Sequence, residues 1–469
     1  MSEKTKSELL RDELFYKKQS IFDVRSLEEQ DKAREYAKGY AEYLDNSKTE
    51  REAVKTTIAY LSERGYSEYN LGDEVKAGGK YYLNNRGKGI FAFRIGTEAL
   101  ENGIRICGAH IDSPRLDLKQ NPLFEDSGFG YLKTHYYGGI RKYQWPTLPL
   151  ALHGVVTKRG GETVEITIGE DEGDPVFVIT DLLPHLSGEQ NKKPLATAFA
   201  GEGLNLLVGS TPYYEEDGTV ASVDEKVKLN IMAMLNEKYG IVESDFMCAE
   251  LCAVPRGKSI DVGMDRWLMG AYGHDDKVCA YPALTALTAT DDSVHTVMCV
   301  LADKEETGSD GVSGMQCCIL SDLIDELCAA MNADSKICRS NSMCLSADVN
   351  AGFDPLYPEV FEKRNCAIVN CGVVMSKYTG SGGKYSTNDA SAEFVGKIRD
   401  MFGDDVLWQT AELGKIDIGG GGTIAKYVAN CNIETVDLGV PVLSMHAPFE
   451  VISKGDLYET HKAFAAFCK

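Results

Sequence analysis

The sequence lacks the features that would direct a chain to or across a membrane. Its N-terminal stretch, MSEKTKSELLRDELFYKKQS, is charged throughout and has no apolar segment of the kind found in signal peptides. No stretch approaches the ~18 uninterrupted apolar residues of a membrane-spanning helix. We therefore expect no membrane partner.

The chain is also short of positive charge. Lys and Arg together number 49, against 71 Asp and Glu, and the formal net charge is −22. Nucleic-acid-binding proteins need a basic face, and anionic membranes attract basic segments, so this balance argues against both partners. A chain this acidic can also contain buried carboxylates that hold cations.

Cysteine motifs for structural zinc are missing. The fourteen cysteines are scattered and include no pair of C-x-x-C units. Free, mostly buried thiols are typical of a reducing compartment. Together with the missing signal peptide, this predicts a cytoplasmic protein.

Hydrophobic periodicity predicts an α/β protein large enough for two domains. One helix is expected after Ser26, which fits a capping box with Glu29, and another after Thr49. Farther along, strands alternate with helices, which implies a mixed, mostly parallel sheet sandwiched by helices. The strands expected in this sheet are residues 89–95 and 103–111, predicted to be neighbours, then 294–302, 343–347, 367–373 and 435–444.

The middle of the chain has a different pattern. Glycine, proline and acidic residues punctuate it, and residues 150–156 and 162–168 alternate as in a hairpin. We interpret residues 118–250 as a β-rich domain inserted into a catalytic domain formed by residues 1–117 and 251–469.

Polar clusters follow several of the predicted buried strands. Ligands of open α/β sheets bind beyond the carboxyl ends of the strands, so we expect these side chains to share one crevice. A further cluster begins a predicted helix. The clusters are His110 with Asp112, Glu305 with Glu306, Asp348, His446 and, at the helix start, Asp275 with Asp276.

Each cluster has a metal-binding interpretation and a plainer one. His110 could bind a metal through one ring nitrogen and give its other N–H to Asp112, which lies on the same face of the strand. The plainer alternative is a polar strand end before a turn. Asp275 and Asp276 could simply cap a helix, although one Asp can cap while the other binds metal.

The paired glutamates and the remaining residues also have both a metal-binding and a plainer interpretation. In a loop, one of Glu305 and Glu306 could bind a metal while the other takes a proton from water. The alternative is a solvated acidic loop. Asp348 ends an apolar run and needs a partner such as a cation, whereas a lone histidine like His446 is also common in cores.

The combined ligand set favours a pair of metal ions. Mixed nitrogen and oxygen ligands suit Zn²⁺, with Co²⁺ or Mn²⁺ as alternatives. Five ligands exceed one tetrahedral zinc but suit two ions about 3.5–4 Å apart that share a carboxylate. The glycine run at residues 419–422 lacks the residues of a P-loop. It is either a plain turn or a place of close backbone approach to a substrate.

Taken in order, these motifs resemble the M18 family of metallo-aminopeptidases, the aspartyl aminopeptidase family, in a bacterial-type branch. The resemblance covers nearly the whole chain. The matching stretches are GAHIDSPRL at 108–116, DDKVCAYPAL at 275–284, DKEETGS at 303–309, LSAD at 345–348, KYSTN at 384–388, GGTI at 421–424 and TVDLGVPVLSMH at 435–446.

The resemblance implies an enzyme that removes N-terminal residues from peptides with two divalent ions. Asp275 would bridge the ions, with His110 and Asp348 on one and Glu306 and His446 on the other. Glu305 would be the general base, and Asp112 would orient His110. It also implies that residues 118–250 form a dimerisation domain and that dimers build a homo-oligomeric dodecamer.

The substrate-binding residues that the resemblance implies are Lys377, Lys384, His185 and Gly421, with acidic N-terminal residues as preferred substrates. The sequence departs from the better-known members in two places: residues 349–355 contain no histidine, and His185 lies beside the position of a histidine that reaches a neighbouring subunit. Two alternatives stay open: a related dinuclear carboxypeptidase or deacylase, and a non-catalytic oligomeric binding protein.

Overall fold

The computed structural model describes residues 4–289 and 293–469. Its helices are α1 Lys6–Leu14, α2 Ile21–Val24, α3 Leu27–Asp45, α4 Glu50–Ser62, α5 Leu195–Ala198, α6 Lys226–Tyr239, α7 His274–Thr288, α8 Ile319–Ala330, α9 Ser335–Asn341, α10 Ala392–Phe402, α11 Ala425–Ala429 and α12 Lys454–Cys468. None of the described helices is both long and apolar enough to span a membrane.

The strands form three sheets. They are β1 Ser67–Glu68, β2 Lys80–Asn85, β3 Gly89–Arg94, β4 Ile104–His110, β5 Arg115–Asp126, β6 Phe129–Tyr137, β7 Leu150–Thr157, β8 Thr163–Ile168, β9 Leu206–Gly209, β10 Ala249–Pro255, β11 Ile260–Val262, β12 Leu268–Ala271, β13 Thr296–Ala302, β14 Met343–Ala347, β15 Asn350–Ala351, β16 Val373–Ser376, β17 Trp408–Thr410, β18 Glu434–Gly439, β19 Pro441–Leu443 and β20 Glu450–Ser453.

The largest sheet has nine strands in the order β1-β2-β3-β13-β4-β14-β18-β16-β17. Its central strands β13, β4, β14 and β18 are parallel neighbours, and β2, β3 and β16 contribute antiparallel pairs. Because the central strands point the same way, their carboxyl ends lie side by side. The mixed, mostly parallel sheet expected from the sequence is confirmed.

Helices cover both faces of this sheet. Along β4, Cys107 and Ala109 pack into a core with residues of α3, α4, α7 and α12. Ile104 and Ile106 point the other way, into a core with residues of α8, α9 and α11. Burial on both faces explains why β4 and β13 are near-continuous apolar runs. The capping box of Ser26 with Glu29 starts α3 as predicted, and α4 starts after Thr49 as predicted, with a capping box of Thr49 with Glu52 that was not predicted.

Two strand predictions were wrong: one named the wrong neighbouring strand, and the other placed the start of a strand too early. β3 and β4 are not adjacent, because β13 lies between them and pairs antiparallel with β3 and parallel with β4. The strand expected at residues 367–373 begins only at Val373. The backbone N–H groups of Asn370 and Gly372 donate to the buried carboxylate of Asp456 instead of to a ladder, which holds this segment in a loop.

The strand expected at residues 435–444 is divided in two. β18 belongs to the nine-stranded sheet, whereas β19 pairs with β15 and β20 in a separate five-stranded sheet. Pro441 begins the second strand, where its missing N–H costs least. Gly439 is needed at the break, because a Cβ there would lie 1.6 Å from the carbonyl oxygen of Asp348.

The third sheet is the β-rich part of the molecule and is antiparallel throughout. Its order is β8-β7-β10-β5-β6-β9, and its strands lie between Arg115 and Pro255. Leu116, Leu132, Leu152 and Ala253 belong to its own hydrophobic core. The expected fold class, a helix-sandwiched catalytic sheet with a β-rich domain, is confirmed.

Candidate active site

The polar clusters converge at the carboxyl end of the nine-stranded sheet. His110 ends β4, Glu305 and Glu306 follow β13, and Asp348 follows β14 directly. Asp275 lies at the first turn of α7, where it is joined to Asp276 by a cis peptide bond. His446 reaches the same point from the turn after β19, so it arrives from the five-stranded sheet and not from the strand predicted for it.

Asp275 lies between the two histidines. Its Oδ1 is 3.1 Å from His110 Nε2, and its Oδ2 is 3.2 Å from His446 Nε2. The carboxylate is buried, and its backbone oxygen accepts a hydrogen bond of 2.7 Å from Ser113 Oγ. One carboxylate oxygen therefore faces each imidazole, which is the arrangement that a bridging ligand requires.

The other acidic residues flank this centre. Glu306 Oε2 lies 3.5 Å from His446 Nε2. Asp348 Oδ1 and Glu305 Oε2 each lie 3.9 Å from His110 Nε2. Ligand atoms of His110, Asp275 and Glu306 come within 4.8 Å of one another, as do those of His110, Glu305 and Asp348. A third set, Asp275 with Asp276 and Asp348, meets the same limit, so the described residues give three overlapping sets of donors.

Asp112 organises the donors from behind. Its Oδ1 lies 3.3 Å from His110 Nδ1 and accepts the Glu305 N–H at 3.2 Å, while its Oδ2 accepts the Glu306 N–H at 3.2 Å. Burial alone would raise the pKa of Asp112, but the hydrogen bonds from His110 and Tyr137 hold it below its usual value. The backbone carbonyl oxygen of Asp112 also lies 3.1 Å from His110 Nδ1, so Asp112 keeps the proton of His110 on Nδ1 and leaves Nε2 for a metal.

The β-rich sheet holds the outer side of both imidazoles. Tyr137, at the end of β6, donates a hydrogen bond of 2.8 Å to Asp112 Oδ2. Two residues later, the carbonyl oxygen of Gly139 lies 2.9 Å from His446 Nδ1. A histidine whose Nδ1–H is committed in this way presents Nε2 inward. The chain at the end of β6 therefore supports both histidines, His110 through Asp112 and His446 directly.

The centre carries more carboxyl groups than its two histidines, His110 and His446, could neutralise if both were protonated. Burial raises the pKa of Glu305 to about 7 and that of Asp276 to about 8. Burial, together with the charge of Asp275, raises the pKa of Glu306 and Asp348 well above their usual values. Glu306 Oε1 and Asp276 Oδ1 are buried and have no hydrogen-bond partner among the residues that the structure describes. Buried charge of this kind needs cations, and the donors present fit divalent ions.

Glu450 supports the centre from β20. Its Oε1 accepts the His446 N–H at 2.7 Å, and its Oε2 accepts the Asp275 N–H at 3.1 Å. Burial and the charge of Asp275 raise the pKa of Glu450 to about 8. Sequence reasoning missed this residue, although an acidic residue four positions after His446 was a usable signal.

A cleft of about 520 Å³ opens onto these groups. Gly421 lines it, as expected for a substrate-binding position, and apart from its two chain neighbours no described residue has an atom within 4 Å of a Cβ placed there. Gly419 and Gly420 approach the protein's own backbone, since added Cβ atoms would lie 1.8 Å from Leu413 O and 2.5 Å from Ser381 Cα. Two glycines of the run are thus needed for packing within the protein, and Gly421 has open space where a substrate could approach.

Among the described residues, three that the resemblance implies for substrate binding do not line this chain's own cleft, and their role stays a prediction. Lys377 and Lys384 are both paired with the carboxylate of Asp389, and neither is among the described residues that line the cleft. His185 is exposed in the short helix Pro184–Leu186. The cleft contains Lys426 instead, which the sequence analysis did not identify.

Comparisons with known proteins show the family to which the chain belongs. A family model described as aminopeptidase I zinc metalloprotease (M18) matches residues 43–468. A probable M18 family aminopeptidase 1 from Clostridium acetobutylicum is 48% identical over 438 residues, covering 91% of this chain and 93% of the relative. The crystal structure of an M18 aminopeptidase from Thermotoga maritima has a TM-score of 0.91 and 42% identity, covering 97% of this chain and 100% of the other.

A more distant structure shares the fold. The mApe1 dodecamer of S. cerevisiae has a TM-score of 0.73 at 21% identity, covering 93% of this chain and 96% of the other. The family model and the close relatives define a metallopeptidase of a family described as zinc metalloproteases. The chain belongs to the M18 family and is an aminopeptidase. These matches confirm the resemblance found in the sequence.

Proposed function

We propose that this aminopeptidase works with two divalent ions, most simply Zn²⁺ with Co²⁺ or Mn²⁺ as alternatives, bridged by Asp275. His110 and Asp348 would hold one ion, and Glu306 and His446 the other. The observation that carries the proposal is the position of Asp275, with Oδ1 3.1 Å from His110 Nε2 and Oδ2 3.2 Å from His446 Nε2. When bound, the ions would polarise the scissile carbonyl and lower the pKa of water.

The chain's own residues then move the proton. Glu305 would accept the proton of the attacking water and return it to the leaving amine. Without metal, burial raises the pKa of Glu305 to about 7; bound cations would lower that pKa, so that Glu305 would be ionised and able to accept a proton. Asp112 would keep Glu305 and Glu306 in place through its bonds to their N–H groups.

The acidic cleft supports cleavage at the N-terminus only. Asp275, Glu305, Glu306 and Asp348 line it together with Asp437. The ions would offset the charge of their own ligands, so the lining carboxyl groups that hold no metal, Glu305 and Asp437, are the ones that could hold a free α-amine beside the reacting carbonyl. A carboxypeptidase would instead need to hold a substrate carboxylate there, and a deacylase would gain nothing from a free amine.

The experiment is hydrolysis of aminoacyl-p-nitroanilides by wild type and Glu305→Gln, with N-acetylated substrates as controls. We expect wild type to cleave only free-amine substrates. We expect Glu305→Gln to retain its metal and lose on the order of 10²-fold or more in kcat, as for loss of a general base. Cleavage of the acetylated substrates alone would favour a deacylase, and no cleavage of any substrate would favour a binding protein.

We also propose that residues 118–250 form an inserted dimerisation domain and that dimers assemble into a dodecamer like that of the S. cerevisiae protein. Large apolar side chains are exposed there, among them Leu182, Leu183, Leu186, Leu195 and Met234. Apolar surface of this kind marks interfaces. Light scattering after gel filtration tests the proposal: a mass near twelve chains supports it, and a monomer contradicts it.

We propose a cytoplasmic location for the assembled enzyme. All fourteen cysteines are free, in keeping with a reducing compartment. The preference for acidic N-terminal residues stays a prediction, and the lysines first considered for it, Lys377 and Lys384, are engaged by Asp389.

A further inference from the structure

A buried arginine lies at the junction between the nine-stranded sheet and the β-rich sheet. Arg115 begins β5, three residues after Asp112, and its side chain is 11% exposed. Its Nη1 donates a hydrogen bond of 2.6 Å to Glu50 Oε2 at the start of α4. Its Nε donates one of 2.7 Å to Asp117 Oδ1, on the same face of β5. The two carboxylates therefore hold the planar guanidinium group at two points.

The guanidinium group of Arg115 also lies over the ring of Tyr137. Its central carbon is 4.3 Å from the ring centroid, and the two residues are directly opposite each other in the β5–β6 ladder. A cation over the face of an aromatic ring attracts that ring, and the attraction is stronger where water is excluded. Arg115 therefore fixes the direction of the Tyr137 ring and of the hydroxyl group at its far end.

Packing alone does not fix this ring. The side chain of Tyr137 is half-buried and lines a cavity of about 280 Å³, which residues of α4 and β10 also line. A ring beside a cavity has room to adopt another rotamer. The hydrogen bond of 2.8 Å from its hydroxyl group to Asp112 Oδ2 would then be lost. Arg115, which Glu50 and Asp117 hold in place, opposes that movement.

The position of Asp112 matters because two glutamates depend on it. Its carboxylate accepts the N–H groups of Glu305 and Glu306, each at 3.2 Å. We propose that Arg115 is a positioning residue of the active site that acts through Tyr137. The group that it finally positions is the general base Glu305, so the inference rests on the proposed function. Arg115 is not among the described residues that line the cleft, so it acts without contacting the substrate.

A second arginine at the same junction provides a matched control. Arg51 joins α4 to β10, because its Nε and Nη2 donate to Glu250 Oε2 at 2.8 and 2.5 Å. Within the part of the chain that the structure describes, Arg51 lies over no aromatic ring. Both arginines thus connect α4 to the β-rich sheet, and Arg115 is the one that holds Tyr137.

The test compares Arg115→Lys with Arg51→Lys in the zinc-loaded enzyme. A lysine keeps the positive charge beside Glu50, but it has no planar group that could bind two carboxylates and stack on a ring. We expect Arg115→Lys to lower kcat for an aminoacyl-p-nitroanilide by about tenfold, in the range measured for partners of metal-bound histidines, and to leave KM unchanged. Arg51→Lys leaves both constants unchanged. An unchanged kcat in Arg115→Lys, a change in KM alone, or an equal loss in both variants overturns the inference.

A double-mutant cycle shows whether Arg115 acts through Tyr137. If it does, Tyr137→Phe also lowers kcat at saturating zinc, and Arg115→Lys has no further effect in that background. If the two losses multiply, or if Tyr137→Phe leaves kcat unchanged, the inference is wrong. A purely structural role of Arg115 would lower thermal stability but would not produce this dependence on Tyr137.

A second variant keeps the proposal testable if Arg115→Lys does not fold. Glu50→Gln weakens one anchor of the guanidinium group and leaves the other at Asp117. We expect it to lower kcat, and we expect that loss to disappear in the Tyr137→Phe background. An unchanged kcat in Glu50→Gln contradicts the inference. Thermal unfolding and bound zinc are measured for every variant, so that kcat is compared among folded, metal-loaded proteins.

Failure of the inference and failure of the proposed function give different results. If wild type cleaves free-amine substrates and Arg115→Lys has the same kcat, the inference about Arg115 is wrong and the aminopeptidase mechanism stands. If wild type cleaves no free-amine substrate, the proposed function itself is wrong.

Discussion

Tyr137 donates a hydrogen bond of 2.8 Å to Asp112, so a strand of the β-rich sheet supports the carboxylate that orients His110. The same carboxylate receives the N–H groups of Glu305 and Glu306. A change in the β-rich sheet can therefore reach the metal ligands through one hydroxyl group.

Removing that hydroxyl should weaken metal binding more than folding. We expect Tyr137→Phe to bind zinc about tenfold more weakly, in the range measured for partners of metal-bound histidines. The free energy of unfolding of the metal-free protein should change by about 1–2 kcal/mol at most. Competition with a zinc-binding dye measures the affinity. Tyr136→Phe, at a partly exposed neighbour in β6, is the control, and equal affinities in the two variants would contradict the account.

Glu450 should be needed for the positions of both Asp275 and His446. In Glu450→Gln, an amide N–H₂ would face one of the two backbone N–H groups that the carboxylate now accepts. We expect a loss of about 1–3 kcal/mol in the free energy of unfolding, the cost of an unsatisfied buried donor. Urea denaturation measures it, with the exposed Glu393→Gln as control. A Glu450→Gln protein as stable as this control would show that Glu450 has no such role.

Removal of metal should make the protein less stable as the pH rises. Without cations, burial raises the folded-state pKa of Glu305 to about 7 and those of Asp276 and Glu450 to about 8. The folded protein then binds more protons than the unfolded chain, so its stability rises as pH falls from about 9 to 6. Bound ions replace those protons. Thermal unfolding of chelator-treated and zinc-loaded protein should therefore diverge as pH rises, and parallel curves would count against the buried carboxyl cluster.

A second pH effect should come from His153, which joins β7 to α4. Its Nδ1 lies 2.8 Å from Glu52 Oε1 and its Nε2 lies 3.1 Å from Glu170 Oε1. Burial alone would lower the pKa of His153, but the two glutamates raise it to about 9. Its contribution is therefore complete below about pH 6.5 and is lost as pH rises through about 9.

The variant His153→Gln tests this assignment. We expect wild type to exceed the variant by up to about 3 kcal/mol in the free energy of unfolding at pH 6, and by much less at pH 9.5. Denaturant unfolding at the two pH values, with zinc present throughout, measures the difference. A gap that stays constant with pH would mean that the charge of His153 does not stabilise the fold.

The sequence predicted the site best where polar residues lie at the ends of predicted parallel strands. His110, Glu305 and Asp348 could be brought together in advance because parallel strands end at one edge of a sheet. Tyr137 and Glu450 could not, because they come from two other sheets whose placement depends on tertiary packing. Lys426 was missed because no motif considered in the sequence marks it, whereas the resemblance implied Lys377 and Lys384, which the structure shows paired with Asp389.

The remaining errors have local causes. Residues 367–373 have the composition of a strand, but Asp456 competes for their N–H groups from α12. Residues 435–444 read as one apolar run, yet Gly439 and Pro441 allow the chain to leave one sheet and enter another. Hydrophobic pattern alone contains neither effect.

The most direct test of the account is the number of zinc ions bound per chain, measured by mass spectrometry after dialysis against buffered free zinc, for wild type and Asp275→Asn. An asparagine keeps the size of Asp275 but offers one carbonyl oxygen, so it cannot bridge two ions. We predict two ions per wild-type chain and at most one in the variant. One ion in wild type, or two in both proteins, would contradict a dinuclear centre bridged by Asp275.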